Sequence, residues 1–345
     1  MSSDANSLPF KLFATCPQFM QPGSTESADP KQYLEQVVNS GHWCERHGFD
    51  GMLVYADNRQ LDGWAIAELL IRNTERLLPL VAIQPVYMHP YTITKTIASI
   101  AYLYGRQIYL NMVAGGFKGD LQALNDPTPH DDRYVRLVEY SKIIQMLTAA
   151  DPGDRISFNG KYYTVSNLGL TPPIPEELRP VFFMSGSSDA GLAASKEIAA
   201  TAIQYPLPPA EYAGPPQDMA SGIRLGLIAR EDADEAWKAA YERFSQDREG
   251  AIAHKLAMKV SDSQWHATIS EMASKEHDPE NPYWLEPYKH YKTFAPYLVG
   301  DYDTVAKDLA RYIRKDISVF IVDIFPSEEE AMHTREAFVR AAALK

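Results

Sequence analysis

Five small polar residues follow a short apolar run in the middle of the chain. Residues 181–184 (VFFM) have the composition of a buried strand, residues 185–189 (SGSSD) form a polar turn, and residues 190–195 consist mostly of helix-forming residues. A strand that turns directly into a helix leaves backbone N–H groups unpaired at the helix start. Those groups and the helix dipole can bind an anion, most often a phosphate. Ser and Asp also cap helices without any ligand, and on this stretch alone a helix cap is the favoured interpretation.

Two polar residues stand inside apolar runs, where a buried side chain needs a partner. Asn111 lies within IYLNMV and Arg224 within IRLGLIA. An unpaired polar group or charge is costly to bury, so each side chain either makes a structural hydrogen bond or ion pair, or faces a functional site. For Arg224, the sequence pattern alone leaves a structural ion pair and a functional role both open.

The histidines and cysteines are weaker candidates for functional residues. His89, in QPVYMHPY, is a base candidate beyond the third predicted strand, and a loop histidine beside Pro90 is the equal alternative. Cys16 and Cys44 are too few for a disulfide framework and lack metal-ligand spacing. Cys16 is a candidate redox or substrate-contact residue, although a small buried residue is the more economical interpretation. The first strand is followed by no H-x-H, and the chain has no spaced His/Asp set, so we predict no metal site.

The overall charge limits the classes of partner. The 345 residues include 33 basic and 45 acidic side chains, a net charge of −12. This balance argues against nucleic acid or an anionic membrane surface as a partner. No apolar run has the length of a transmembrane helix, and residues 1–10 do not have the pattern of a signal peptide. We therefore expect a cytoplasmic protein.

The order of elements predicts the fold class. Eight short apolar runs read as strands, at residues 10–15, 51–55, 80–84, 108–113, 181–184, 200–203, 223–229 and 318–324. Helical patterns follow most of them, and residues 155–165 predict a hairpin about Asn159-Gly160. Continuous apolar strands are typical of parallel sheets buried on both faces, so we predict a single α/β domain, residues 1–345, folded as a (β/α)8 TIM barrel. An open doubly wound sheet is the alternative, but no G-x-G-x-x-G follows the first strand.

The barrel changes the interpretation of the polar turn. Active sites of such barrels lie at the C-terminal ends of the strands, and phosphates often bind near the later strands. The turn at residues 185–189 would lie on that face, and the phosphate site becomes the leading hypothesis. Residues 250–300 look irregular and aromatic, so they are a candidate lid or insertion, with an ordered excursion over the barrel rim as the alternative.

The sequence resembles the bacterial luciferase-like flavin-dependent monooxygenases, and within them the alkanesulfonate monooxygenase branch. The similar stretches are residues 48–54 (GFDGMLV), Asp62 with Trp64, 74–85 (TERLLPLVAIQP), 110–116 (LNMVAGG), 130–140 (HDDRYVRLVEY), 158–163 (FNGKYY), 181–195, 224–237 (RLGLIAREDADEAW) and 297–306 (YLVGDYDTVA). No single stretch is specific to this family, but the number, order and spacing of the stretches together are.

The resemblance implies a two-component monooxygenase. Reduced FMN would be a diffusible cosubstrate supplied by a separate NAD(P)H:flavin reductase, and its reaction with O2 would give a flavin C4a-(hydro)peroxide that oxygenates an organic substrate. The family usually forms homodimers or homotetramers. The implied cofactor-binding residues are Asn111, Ala114, Gly115, His130, Tyr134, Ser185, Gly186, Ser187 and Ser188. Arg224 would be the site arginine, available to hold an anionic substrate group, and Trp64 would lie in the substrate pocket.

Departures from the alkanesulfonate branch lie where the substrate would bind. Cys16 and Gly226 replace histidines of that branch, Gln60 replaces a cysteine, and Phe325 replaces a tyrosine. We place Cys16 and Gln60 among the catalytic candidates with Arg224, and Gly226 and Phe325 in the substrate pocket with His89. Gly226 and Phe325 would make the pocket less polar, and Gly226 would enlarge it. We therefore predict hydroxylation, N-oxidation or Baeyer–Villiger insertion on a larger organic molecule, not the desulfonation of a simple alkanesulfonate.

Two other hypotheses remain open. Related barrels use the deazaflavin F420 for hydride transfer without oxygen, and oxygen dependence with cofactor preference would distinguish that activity. The loss of polar residues is also compatible with a non-catalytic flavin-binding protein.

Overall fold

The computed structural model describes residues 8–21, 26–115, 118–216, 218–245, 247–260, 264–273 and 281–344. Its strands are β1 (Lys11–Thr15), β2 (Gly51–Val54), β3 (Leu78–Ile83), β4 (Tyr109–Val113), β5 (Ile156–Asn159), β6 (Thr164–Leu168), β7 (Val181–Ser185), β8 (Thr201–Gln204), β9 (Ser221–Arg230), β10 (Tyr283–Trp284), β11 (Tyr297–Asp301) and β12 (Ile317–Val322). Its helices are α1 (Pro30–Arg46), α2 (Gly63–Asn73), α3 (Pro90–Tyr104), α4 (Lys118–Ala123), α5 (His130–Ala149), α6 (Asp189–Glu197), α7 (Ala233–Arg243), α8 (Arg248–Val260), α9 (Gln264–Ala273), α10 (Glu286–Lys289), α11 (Tyr302–Ile313) and α12 (Glu328–Ala343), with a 3-10 turn at Glu176–Leu178.

Eight parallel strands close into a barrel in the order β1-β2-β3-β4-β7-β8-β9-β12. The ring closes through β12, whose Val319 is in register with Lys11 of β1, and through β8, whose Ala202 is in register with Ser221 of β9. The predicted (β/α)8 barrel is confirmed, and the open doubly wound sheet is excluded. All eight predicted strands are barrel strands.

Both faces of the barrel strands are buried, which explains the continuous apolar runs. Phe13, Leu80, Phe183 and Ile321 belong to a cluster inside the barrel. Their neighbours along the strands, such as Leu12, face outward and pack against the surrounding helices. Alternate residues of one strand thus meet two different apolar layers, and Asn111 of β4 and Arg224 of β9 are polar exceptions to this pattern.

The segment from 250 to 300 is more regular than predicted. It contains α8, α9 and α10, and then the strands β10 and β11. The first half of the long strand β9 pairs with β12 inside the barrel, and its second half pairs in parallel with β11. The scattered helix signals predicted there correspond to these helices, and the predicted aromatic side chains, such as Tyr297, pack in this outer sheet extension. Residues 261–263 and 274–280 of the candidate lid lie outside the described residues.

The predicted hairpin is present as β5 and β6, packed over α5. The carboxylate of Glu139 on α5 accepts hydrogen bonds from the backbone N–H groups of Lys161, Tyr162 and Tyr163, at 2.7, 2.8 and 3.1 Å. One helix side chain thus fixes the hairpin connection. Among the residues that the structure describes, no helix is long and apolar enough to cross a membrane.

Candidate active site

A cavity of about 280 Å³ opens at the C-terminal ends of the barrel strands. Its floor is apolar and includes Leu53 from β2, Ala82 from β3, Ile203 from β8 and Ile321 from β12. Polar side chains and a Ser-rich turn surround this floor. Such a site can hold a flat, largely apolar group on the floor and a charged group at the rim.

The polar turn after β7 forms one side of the cavity. Ser185, Gly186, Ser187 and Ser188 all line it. Ser188 caps α6, since its hydroxyl accepts a hydrogen bond from the N–H of Gly191 at 3.2 Å. Ser188 therefore both caps α6 and lines the cavity. An anion at the rim would meet the hydroxyls of Ser187 and Ser188 and the positive end of the α6 dipole.

Tyr134 of α5 supports this turn from behind. A Cβ atom on Gly186 would lie 2.7 Å from the Tyr134 hydroxyl, and one on Gly191 would lie 3.2 Å from the same ring. Only glycine allows this approach at Gly186. Tyr134 is buried, and burial raises the pKa of its hydroxyl, which stays protonated as a hydrogen-bonding group.

Asn111 and His130 also line the cavity. Asn111 is buried in β4, and its side-chain oxygen accepts a hydrogen bond from the Ser185 hydroxyl at 2.9 Å. This bond gives the buried amide the partner that its position requires. His130 begins α5, contacts the Asp131 carboxylate through Nδ1 at 2.7 Å, and packs edge-on against Tyr134. Ala114 and Gly115 complete this wall, with Gly115 at φ +101°, while Gly116 lies outside the described residues.

The structure thus brings all nine predicted cofactor-side residues to one cavity. They are Asn111, Ala114, Gly115, His130, Tyr134, Ser185, Gly186, Ser187 and Ser188.

Arg224 lies on the opposite wall in a hydrogen-bonded network. Its guanidinium donates to the Asp323 carboxylate at 3.0 and 3.3 Å, and to the Tyr55 hydroxyl at 2.8 Å. Hydroxyls of Thr293 and Tyr297 donate to the other oxygen of Asp323. The Arg224 and Asp323 side chains are only 12% and 6% exposed, so the charge of Arg224 is neutralised inside the protein. Arg224 therefore does not offer an unpaired positive charge to a substrate.

Several site residues escaped the sequence analysis. Tyr55 follows β2 and Asp323 follows β12, so both stand at the C-terminal end of a barrel strand. Asp323 had a usable signal, because an acid at the end of the apolar run SVFIV needs a partner just as Arg224 does. Tyr205 lies between the two regions, with its ring below the Arg224 guanidinium and stacked on Trp265 of α9. Nothing in the local sequence pattern distinguishes these aromatic residues from ordinary core residues.

Cys16 and Gln60 lie away from the central cavity. Cys16 is 1% exposed within the apolar core, and burial raises the pKa of its thiol, so the reactive thiolate is disfavoured. Gln60 fixes the loop after β1: its amide oxygen accepts from the N–H of Phe19 at 2.8 Å, and its amide nitrogen donates to the carbonyl of Met20 at 2.9 Å. Cys16 is thus a buried core residue, and Gln60 lines a side chamber that borders the cavity; the catalytic roles of both residues stay predictions.

Trp64 and His89 also lie away from the cavity. Trp64 stands near the start of α2, beside a surface groove between α2 and α3. His89 caps α3, since its Nδ1 accepts a hydrogen bond from the N–H of Tyr91 at 3.1 Å, and its ring packs against Tyr163. His89 thus caps a helix, whereas Trp64 lines a side chamber of about 320 Å³ that shares Ala82 and Gln84 with the central cavity.

Gly226 and Phe325 lie around a second chamber of about 400 Å³ beside the first. Phe325 lines this chamber directly and packs edge-on against Phe49. Gly226 does not open space as predicted, because a Cβ atom there would lie 2.2 to 2.3 Å from the ring of Tyr297. The missing side chain leaves room for that ring, which belongs to β11 and itself lines the chamber.

The cavity residues fit a flavin mononucleotide. The rim supplies serine hydroxyls and a helix N-terminus for a phosphate, and the floor supplies apolar surface for a flat ring. The indole Nε1 of Trp265, at the cavity wall, is buried with no hydrogen-bond partner among the described residues, and so is available to a ligand acceptor. Gln84 and Asn111 add amide groups to the lining.

Comparison with known proteins identifies the family of this chain. The profile described as "Luciferase-like monooxygenase" matches residues 9–316. The 4-(gamma-L-glutamylamino)butanoyl-[BtrI acyl-carrier protein] monooxygenase BtrO of Niallia circulans is 34% identical over 320 residues, covering 90% of this chain and 93% of BtrO.

Two solved structures show the fold. Riboflavin lyase RcaE, with modified FMN and riboflavin, has a TM-score of 0.71 at 17% identity and covers 97% of this chain and 91% of its own. EDTA monooxygenase EmoA of Chelativorans sp. BNC1 has a TM-score of 0.71 at 16% identity, covering 97% and 94%. The chain therefore belongs to the luciferase-like monooxygenase family of flavin-dependent enzymes.

Proposed function

We propose that this protein is the oxygenase of a two-component system that uses reduced FMN and O2. One oxygen atom enters an organic substrate, and the second leaves as water, so that substrate–H, O2 and FMNH2 give substrate–OH, FMN and H2O. The observation that carries the proposal is the cavity at the strand ends, which combines a serine-lined helix N-terminus with an apolar floor. When bound, reduced FMN supplies the two electrons that activate O2.

The chain's own residues would bind and shield the cofactor. Ser187 and Ser188 would hold the phosphate through hydroxyl and backbone N–H groups, since both stand at the α6 N-terminus. Leu53, Ala82 and Ile321 would exclude water from the reacting face. Burial raises the pKa of Tyr55 to about 12 despite the opposing effect of Arg224, so its hydroxyl stays protonated at neutral pH beside the cavity.

A separate reductase would supply the reduced flavin. No G-x-G-x-x-G fingerprint for a nicotinamide dinucleotide follows the first strand of this chain. We propose that an NAD(P)H:flavin reductase delivers FMNH2 by diffusion.

The substrate we propose is an organic molecule larger than a simple alkanesulfonate. BtrO acts, by its name, on a 4-(gamma-L-glutamylamino)butanoyl group bound to an acyl carrier protein, and the alignment spans nearly the whole of both chains. An acyl chain with an amide and a carboxylate is thus the first class to test, either free or bound to a carrier.

The test is an oxygenation assay with isotope labelling. The protein is supplied with FMN, NADH, a flavin reductase and ¹⁸O2, together with a panel of acyl amides, a carrier-bound acyl amide and linear alkanesulfonates. We expect a product that is heavier by one ¹⁸O atom from an acyl amide, and none when the reductase is left out. An F420-dependent hydride transfer would instead require reduced F420 and proceed without O2. A product that forms without O2, or a protein that binds no reduced FMN, would overturn the proposal.

A further inference from the structure

The second chamber shares a wall with the central cavity. Gln18, Tyr55, Arg224 and Phe294 line both spaces. A molecule in the second chamber therefore lies directly beside the predicted flavin site, as a substrate must.

The charges of this chamber contrast with those of the whole protein. Its lining has three basic side chains, Arg224, Arg243 and Lys292, and one acidic side chain, Asp323. Across the whole sequence, acidic residues outnumber basic ones by 45 to 33. A locally positive chamber in an acidic protein favours an anionic ligand.

Of the three basic side chains that line the chamber, Arg243 is the one without an acidic partner among the described residues. Arg224 is paired with Asp323, and Lys292 with Asp247 at 2.5 Å. Arg243 makes no ion pair with any described residue, although it is half-buried at the end of α7. A half-buried cation gains from a counter-ion, and here a ligand can supply it.

The orientation of Arg243 leaves donors for a ligand. Its guanidinium lies 5.1 and 5.8 Å from the ring centroids of Phe244 and Tyr297, which hold it in place. One nitrogen donates to the carbonyl of Ile324. A guanidinium has five N–H donors, so the others can bind a carboxylate.

Two neutral polar groups face the same space. Ser40 of α1 is 2% exposed and lines the chamber, yet its hydroxyl makes no hydrogen bond to any described residue. The amide of Gln18 likewise has no partner within the described part of the chain. Ser40 is buried and Gln18 half-buried, and both line the chamber, so their polar groups can bind polar atoms of a ligand.

We infer that the second chamber is the substrate site and that Arg243 binds a carboxylate of the substrate. The substrate would be an organic acid, with polar atoms reaching Ser40 and Gln18 and its reacting end directed past Arg224 into the flavin cavity. This inference rests on the proposed function, since it names the substrate class of the same site. Arg224 is excluded from the carboxylate role because Asp323 already neutralises it.

The test is calorimetric titration with a matched pair of probes, 4-acetamidobutanoate and its neutral methyl ester. Four proteins are compared: the wild type, Arg243→Gln, Arg243→Lys and the control Lys238→Gln, which removes a charge from an exposed position on the same helix. We expect the wild type to bind the acid at least about tenfold more tightly than the ester, a difference of about 1.4 kcal/mol. Arg243→Gln should lose this preference, Arg243→Lys should retain part of it, and Lys238→Gln should match the wild type.

Equal binding of acid and ester by the wild type, or an unchanged preference in Arg243→Gln, would overturn the inference. If Arg243→Gln does not fold, the acid–ester comparison in the wild type and in Arg243→Lys decides the matter. Anaerobic titration of the same proteins with reduced FMN separates the two proposals. Flavin binding without a preference for the acid overturns the carboxylate site alone, whereas the absence of flavin binding overturns the proposed function.

Discussion

At the scale of single residues, the Arg224–Asp323 pair is the most sensitive point of the site. Asp323→Asn removes the negative charge and leaves the Arg224 guanidinium, 12% exposed, without its counter-ion. We expect the free energy of unfolding to fall by about 3 kcal/mol or more, because an unpaired buried charge is costly. Urea denaturation followed by circular dichroism measures this change.

The matched control removes an exposed pair. Lys142 and Glu197 lie 2.5 Å apart with side chains 40% and 53% exposed, and Glu197→Gln should cost no more than about 1 kcal/mol. Equal losses in the free energy of unfolding from the two substitutions would show that Arg224 does not depend on Asp323 as a buried counter-ion.

The two thiols give a second prediction at this scale. Cys16 and Cys44 are 1% and 0% exposed, and burial raises the pKa of each thiol. We expect neither to react with Ellman's reagent in the folded protein, and both to react in denaturant. Rapid modification of Cys16 in the folded protein would return it to the list of catalytic candidates.

Local patterns pointed to single residues where a polar group interrupts an apolar strand, and the family resemblance pointed to the other cofactor-side residues. Asn111 and Arg224 were found because a polar residue in an apolar strand must have a reason. The hydrogen bonds of Gln60 and His89 go to loop and helix-start N–H groups, whose positions the sequence pattern does not give.

At the scale of elements, an ion pair fixes the loop that leads into α5. Asp126 accepts two hydrogen bonds from Arg136 at 3.1 and 2.7 Å, and their side chains are 6% and 12% exposed. Burial by itself would raise the pKa of Asp126, but the hydrogen bonds from Arg136 and Thr128 outweigh it and lower the pKa to about 2. This ion pair fixes the loop before α5, and His130 at the start of α5 lines the cavity.

The lowered pKa predicts how stability depends on pH. A carboxyl group whose pKa falls on folding stabilises the protein above its unfolded pKa of 3.8, and this contribution is lost as the pH falls toward 2. The advantage of the wild type over Asp126→Asn should be about 2 kcal/mol at about pH 7 and about 1 kcal/mol near pH 3. Urea titrations at a series of pH values measure it. Asp151→Asn, at an exposed position, is the control, and an equal pH dependence there would contradict the assignment.

The helices of the candidate lid provide a prediction about motion. Trp265 of α9 lines the flavin cavity and stacks on Tyr205, with ring centroids 5.3 Å apart. If this segment closes over the cofactor, hydrogen exchange of the α9 amides should slow when reduced FMN is added. Exchange in α12, on the outside of the barrel, should not change. Equal exchange in α9 with and without the cofactor would rule out closure.

The elements of the barrel were predictable, and those outside it were not. Eight apolar runs specify buried parallel strands because both faces of each strand meet apolar layers. The strands β10 and β11 are rich in aromatic residues and pair outside the ring with the extended half of β9. Their pairing depends on the length of β9 and on Gly226, which makes room for Tyr297.

At the scale of the whole molecule, closure of the ring creates the site. Tyr55 and Asp323 are 169 and 99 residues away from Arg224 in sequence, yet both contact it, because the barrel brings the ends of β2, β9 and β12 together. Sequence reasoning singled out Arg224 but could not show that Tyr55 and Asp323 meet it. The second chamber was beyond prediction for the same reason, since its walls come from α1, α7, β11 and the residues that follow β12.

The central claim is that the turn at Ser185–Ser188 holds the phosphate of reduced FMN, and anaerobic titration of FMNH2 tests it most directly. Ser188→Asp keeps a good helix cap on α6 but places a negative charge at the phosphate position. Ser327→Asp makes the same change at the cap of α12, away from the cavity. We predict saturable binding by the wild type and by Ser327→Asp, and binding weakened at least about tenfold, or about 1.4 kcal/mol, in Ser188→Asp. Equal FMNH2 affinity in all three proteins, or no binding by the wild type, would contradict the account.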